Sequence, residues 1–134
     1  MTISVGIDIG SGVVKTALFR TEGGTSEWLA RRVERIRRRD NLQLAKAGYD
    51  EVIEEARLKP ADVDYVATTG EGENVKFATG HFYSMTTHAR GAIFLNPEAR
   101  AVVDIGALNG RAIFINEYGK VLAYKMTSQC ASGS

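Results

Sequence analysis

The sequence predicts an α/β fold: a mixed sheet with a three-stranded antiparallel meander and crossover helices. Three observations predict it. Apolar, β-branched runs at 3–9 and 13–20 flank the turn Gly10-Ser11-Gly12, the pattern of an antiparallel hairpin. A helix-period stretch then separates that hairpin from a short apolar run at 64–68. A strand reached through a helix pairs parallel to its predecessor, so this run belongs beside the first strand. Finally, the opening pattern returns: Asp104, Gly106 and Arg111 match Asp8, Gly10 and Lys15 at one constant offset, without a gap.

The chain has 134 residues, enough to bury a real core. Its net charge of +1 gives no global field toward nucleic acid or membrane, and neither is expected as a partner. No apolar run approaches the roughly 18 residues of a membrane span. The N-terminus shows no basic segment followed by an apolar one, so no secretory signal is read. The one cysteine, Cys130, cannot form an internal disulfide. Together these features favour a cytoplasmic protein. The last residues, Cys130-Ala131-Ser132-Gly133-Ser134, close no element, and an N-terminal fragment of a longer protein is expected.

After the second strand, Thr21-Glu22-Gly23-Gly24-Thr25 turns the chain into a third antiparallel strand over 26–36, with Trp28 and Val33 as apolar anchors. Gly10-Ser11-Gly12 is a turn, where glycine permits positive φ. Arg31, Arg32, Arg35, Arg37, Arg38 and Arg39 form a basic cluster. It reads as a solvated strand end or as a docking face for an acidic partner or cofactor tail. Asp40 caps a helix to about residue 58, whose Leu42, Ala45, Tyr49, Val52, Ile53 and Ala56 share one face; Pro60 follows its end. Thr69-Gly70-Glu71-Gly72-Glu73-Asn74 is a loop at a strand's carboxyl end, where ligands bind in open α/β sheets. Residues 86–94 are weakly helical, and Asn96-Pro97 ends them. A second meander follows: strands over 101–105, 111–116 and 121–126. The expected domains are therefore 1–100, complete, and 101–134, the truncated start of a related one.

A glycine turn exposes backbone N–H groups that cradle phosphate oxygens. An Asp at the strand end holds a hydrated Mg²⁺. Ser11 adds a hydroxyl and Lys15 a point charge. Two such hairpins from two related domains could clamp a nucleotide's phosphates and metal, the positioning-plus-electrostatics pattern of phosphoryl transfer. One Asp-x-Gly alone is more often a plain turn; two in register are a stronger signal. No G-x-x-x-x-G-K-[ST] is present, and neither Gly10-Ser11-Gly12 nor Gly70-Glu71-Gly72 continues as G-x-G-x-x-G. Cys130 alone reads as a free thiol, since a metal role needs more ligands. His81 and His88 read as polar-network residues, and Glu71 and Glu73 as solvated carboxylates with a lesser chance of orienting water or metal.

Asp8-Ile9-Gly10-Ser11 with Lys15, Thr69-Gly70-Glu71-Gly72, Thr87-His88-Ala89-Arg90-Gly91-Ala92, Asp104-Ile105-Gly106 and Cys130-Ala131-Ser132-Gly133-Ser134 occur in that order. The chain thereby resembles, over nearly its whole length, the ATPases of the benzoyl-CoA reductase and 2-hydroxyacyl-CoA dehydratase activator family. That family sits within the actin, sugar kinase and heat-shock chaperone superfamily. The resemblance implies two ribonuclease-H-like domains with ATP and Mg²⁺ between them. Asp8, Gly10, Ser11, Gly12 and Lys15 would form the first phosphate loop, and Asp104 with Gly106 the second. Cys130 would be the first of two cysteines holding a [4Fe–4S] cluster shared with another subunit; the second lies outside this chain.

The implied function is that of an ATPase and electron-transfer subunit of an ATP-dependent aryl-CoA (benzoyl-CoA) reductase, an oxidoreductase of anaerobic aromatic compound degradation. Its partners would be a paired ATPase subunit, an aryl-CoA-binding module and a ferredoxin-type electron donor. The fragment alone would be inactive. The sequence departs from the activator pattern at Ala107-Leu108-Asn109, at Glu71 and Glu73, and at Ser84. These changes fit a diverged subunit paired with a more typical one. Two other readings are a small-molecule kinase of the same superfamily and a non-hydrolysing structural subunit of the reductase.

Overall fold

The computed structural model describes residues 1–106 and 110–127. They fall into two compact units, Met1–Phe82 and a second beginning at Tyr83.

In the first unit, β1 (Thr2–Ile9), β2 (Val13–Glu22) and β3 (Thr25–Arg35) form the antiparallel meander. Helix α1 (Asn41–Glu55) leads to β4 (Tyr65–Gly70), which pairs parallel to β1, and β5 (Gly80–Phe82) pairs parallel to β4. The sheet order is β3-β2-β1-β4-β5. The core follows from the period of two along β1: Ile3, Val5, Ile7 and Ile9 are all buried. They meet Val14 and Leu18 of β2, Val66 of β4, and Ala45, Tyr49, Val52 and Ile53 of α1. Each large aliphatic side chain among them contributes about 1.5–3 kcal/mol when fully buried.

Helix α1 begins where its cap requires. The Leu42 N–H donates to Asp40 Oδ1 at 2.9 Å. It stops at Glu55, shorter than the sequence predicts, and Arg57 turns the chain with φ of 58°. Gly48, absent from the predicted apolar face, is a point of tight contact with the sheet. A Cβ there would lie 2.8 Å from Thr16 Oγ1.

Strand β3 corrects one expectation. Trp28 and Val33 are exposed, at 42% and 64%, and the buried residue of the strand is Ala30. A bulge between Leu18 and Phe19 sets Ala30 opposite Leu18 but Trp28 opposite Phe19. The extra residue flips the alternation, so Trp28 stacks on Phe19 with ring centroids 5.7 Å apart instead of entering the core. The neighbouring arginines divide in two. Arg32 pairs with Glu51 and Glu55 on α1, and Arg39 with Glu34, whereas Arg31 lies over the Trp28 ring at 5.3 Å. Arg37 and Arg38 both have positive φ in a turn closed by Arg39 N–H to the Ile36 carbonyl at 2.9 Å.

In the second unit, α2 (Ser84–Leu95) packs on an antiparallel meander of β6 (Ala101–Ile105), β7 (Gly110–Ile115) and β8 (Val121–Thr127), in the order β6-β7-β8. Its small core is Ala89, Ile113 and Ile115, with Met85, Ile93, Val102 and Val121 against it. The Asn116 side chain accepts from the N–H groups of Tyr118 and Lys120, and Gly119 supplies the φ of 79° that closes the turn. Helix α2 thus groups with the second meander, and the compact units change at Tyr83 while the sequence reading changes domain at residue 101.

Candidate functional site

The first hairpin places Asp8 at the penultimate position of β1, directly opposite Lys15 on β2 and beside Thr69 on β4. Asp8 is half-buried, while Ser11, Gly12 and Lys15 are exposed at the hairpin end. The turn is closed by the Gly10 N–H donating to the Val13 carbonyl at 2.9 Å, and the Gly12 carbonyl accepts from Ile36 N–H at 2.9 Å. Neither Gly10 nor Gly12 has positive φ. What Gly10 provides is closeness: a Cβ would lie 3.2 Å from the Val13 oxygen.

The loop after β4 meets this same hairpin. Gly70 has φ of +69°, and a Cβ there would fall 2.3 Å from the Ile9 oxygen and 3.0 Å from Asp8 Oδ1. The Glu71 N–H donates to that Ile9 oxygen at 2.8 Å. Only glycine satisfies both the dihedral and the approach. The strand end is fixed by Thr69 Oγ1 donating to the Phe82 carbonyl at 2.7 Å and by Thr68 Oγ1 with His81 Nδ1 at 3.0 Å. Glu71 and Glu73 are exposed, as read from sequence.

The second hairpin repeats the register. Asp104 lies opposite Arg111, and Ile105 opposite Gly110, as Asp8 lies opposite Lys15 and Ile9 opposite Val14. Its chemistry is different. Arg111 donates to Asp104 Oδ2 through Nε at 3.1 Å and also through Nη2. His88 Nδ1, from α2, lies 2.8 Å from the same oxygen. A carboxylate only accepts, so this bond assigns the proton to Nδ1. Arg111 is 11% exposed and Asp104 22%. Burial pushes the Asp104 carboxyl up, but the Arg111 hydrogen bond and the His88 charge outweigh it and hold the group below its ordinary value.

The structure therefore gathers Asp8, Gly10, Ser11, Gly12 and Lys15 on one hairpin, and Asp104 and Gly106 on another of the same register. Cys130 and the residues 107–109 that follow Gly106 lie outside the described residues. Among the described residues no group of three or more His, Asp or Glu side chains is placed to hold a metal ion. Sequence reasoning missed the closeness of Gly70 to Asp8 and the engagement of Asp104 by His88. The Lys15–Arg111 equivalence signalled half of the second cluster; a histidine arriving from another element leaves no local signal.

A phosphate group fits the first hairpin. A half-buried carboxylate, an exposed hydroxyl, an exposed lysine and a glycine turn meet there, and a cradle at Gly70 that a side chain would fill borders it. No helix of the described residues is long and apolar enough to cross a membrane.

The chain is 70% identical over all 134 residues to one of the subunits of benzoyl-CoA reductase from Thauera aromatica, covering 48% of that protein. It is 30% identical to the activator of lactoyl-CoA dehydratase from Anaerotignum propionicum, with 98% of this chain and 49% of that one matched. Among solved structures, component A of the (R)-2-hydroxyglutaryl-CoA dehydratase from Acidaminococcus fermentans superposes with a TM-score of 0.82 at 27% identity, over 98% of this chain and 49% of that one. The activator of the 2-hydroxyisocaproyl-CoA dehydratase from Clostridium difficile, solved with bound ADPNP, shares the fold with a TM-score of 0.79 at 22% identity, over 97% of this chain and 47% of that one. The chain thus spans about half the length of the curated relatives it matches. The BadF/BadG/BcrA/BcrD ATPase family matches residues 5–134, and the chain belongs to it.

Proposed function

We propose that the chain is a nucleotide-binding part of an ATPase subunit of an ATP-dependent acyl-CoA reductase, and that the acyl group is aromatic, as in benzoyl-CoA. The observation that carries this reading is the acid–cation pair repeated in one register, Asp8 with Lys15 and Asp104 with Arg111. The 70% identity to a benzoyl-CoA reductase subunit favours the reductase over a small-molecule kinase. We assign residues 1–100 to a first ATPase domain and 101–134 to the start of a second.

Bound MgATP would supply a phosphoanhydride whose hydrolysis releases the free energy for electron transfer. This chain's residues hold and orient it. Lys15 and the Ser11 hydroxyl neutralise and fix phosphate oxygens, the glycine turn offers N–H donors, and Asp8 holds the hydrated cation. The second hairpin, with Asp104 and Gly106, takes the same role for the second domain. Four thiolates hold a [4Fe–4S] cluster, and this chain has one cysteine, so Cys130 would be one ligand among several from other chain segments and a paired subunit. The aryl-CoA-binding module and a ferredoxin-type donor complete the complex, which we place in the cytoplasm.

A non-hydrolysing variant of this role is favoured by one observation: the carboxylate of Asp104 is already engaged by Arg111 and His88. The test is ATP affinity in the full-length subunit. Asp8→Asn and Lys15→Ala should each weaken it by about tenfold or more; unchanged affinity in both returns the first hairpin to a plain turn.

A further inference from the structure

Arg111 is placed where the first hairpin carries Lys15, but it is held in a way Lys15 is not. Its guanidinium meets Asp104 Oδ2 through Nε and Nη2, the side-on mode of a planar fork. Nη1 takes no hydrogen bond among the described residues. Asp104 is in turn fixed by His88 Nδ1 at 2.8 Å, and His88 also lies 3.2 Å from Arg111 Nη2. His88 comes from α2, so helix and hairpin are tied together through one carboxylate oxygen.

We propose that Arg111 is a phosphate-binding residue for the polyphosphate chain of a nucleoside di- or triphosphate, and that His88 is a positioning residue which holds the Asp104–Arg111 pair in place. The inference rests on the nucleotide-site reading above and deepens it. Its physical basis is division of labour inside the guanidinium. One edge is spent on a half-buried carboxylate, which fixes the plane and prevents the side chain from collapsing elsewhere. The other nitrogen, Nη1, keeps its donors for an anion. A side chain pre-organised by a partner loses less entropy on binding than a flexible lysine does. The pair occupies the register position that Asp8 and Lys15 hold in the first hairpin, next to a second strand-end glycine.

The two hairpins then differ in function. Lys15 is exposed and carries a point charge; Arg111, 11% exposed, is a fixed fork. Asp104 serves first as the anchor of that fork, through Oδ2.

The test uses the full-length protein in its complex, with a fluorescent ATP analogue, ATP, ADP and adenosine as probes and thermal melting alongside. Arg111→Gln should weaken ATP and ADP by about tenfold or more and leave adenosine binding unchanged, while a lowered melting temperature reports the stability lost with the Asp104 pair. Arg111→Lys should recover part of the loss. His88→Leu should weaken ATP severalfold, and His88→Asn, which keeps a hydrogen-bonding atom near the Nδ1 position, should restore it. Unchanged ATP affinity in Arg111→Gln, with a clear loss in Asp8→Asn, overturns the proposal and leaves the nucleotide site standing. Equal weakening of ATP and adenosine overturns it as well. If neither Asp8→Asn nor Arg111→Gln changes ATP affinity, the nucleotide-site reading itself fails. Should Arg111→Gln not fold, the comparison of His88→Leu with His88→Asn carries the test, and equal ATP affinity in those two overturns the proposal.

Discussion

Gly70 leaves no room for a side chain beside Asp8. A Cβ at Gly70 would stand 3.0 Å from Asp8 Oδ1 and 2.3 Å from the backbone oxygen of Ile9, at a φ of +69°. Backbone cannot yield as a flexible side chain does. Gly70→Ala should therefore destabilise the chain by about 2–4 kcal/mol, adding dihedral strain to a forced shift of β1. In the full-length protein it should also weaken ATP binding, because the shift displaces Asp8. Melting and nucleotide titration check the two effects; a variant as stable as the parent would contradict the close approach.

The contact between α1 and β2 gives a second prediction. Thr16 Oγ1 is buried without a hydrogen-bond partner among the described residues, and Gly48 approaches it so closely that a Cβ would lie at 2.8 Å. An alanine in a helix interior is ordinarily better than glycine by about 1 kcal/mol. Here the clash should reverse the sign, making Gly48→Ala destabilising. Thr16→Ala removes the clashing atom, so the double variant should recover stability beyond additivity. A double-mutant cycle read by urea denaturation decides it.

The Asp104 cluster predicts a pH dependence. Its folded carboxyl is held below the ordinary value by Arg111 and His88 despite burial. A depressed carboxyl contributes stability that is complete above its unfolded value near 4 and is lost as pH falls through the folded value. The part of the stability difference between the parent and Asp104→Asn that the carboxylate carries should shrink as pH falls below about 4. Chemical denaturation of both proteins across that range measures it. A gap that widens in acid would contradict the sign.

These contacts show where the sequence is legible. Strands β1 and β2, the cap at Asp40 and the parallel partner β4 can all be read, because period-two burial, a capping Asp and a helical crossover are local signals. Strand β5 cannot: three residues, Gly80–Phe82, carry no period, and its place is set by pairing with β4. Trp28 misleads because a bulge at Leu29 reverses the alternation, and nothing in the strand's own composition marks a bulge. The pairing of the first hairpin reads whole, with Lys15 opposite Asp8. The role of Gly70 and the arrival of His88 at Asp104 are long-range, and only the fold reveals them.

Cys130 tests the electron-transfer half of the proposed function. In the full-length complex, purified without oxygen, Cys130→Ala should lose cluster iron while ATP affinity is kept. Iron analysis and electron paramagnetic resonance would show it. An intact cluster in the variant would remove Cys130 from the ligand set.

The central claim is that nucleotide hydrolysis by this ATPase drives electrons onto an acyl-CoA, and its most direct measurement is coupling. Phosphate release and acyl-CoA reduction are followed together in the purified complex, with and without a low-potential reductant, for the parent and for Asp8→Asn. The account predicts reduction only when ATP and reductant are both present, ATP consumption that tracks the electrons delivered, and loss of both in Asp8→Asn. Reduction that continues at the parent rate in Asp8→Asn, or phosphate transferred to a small acceptor without any reduction, would contradict it.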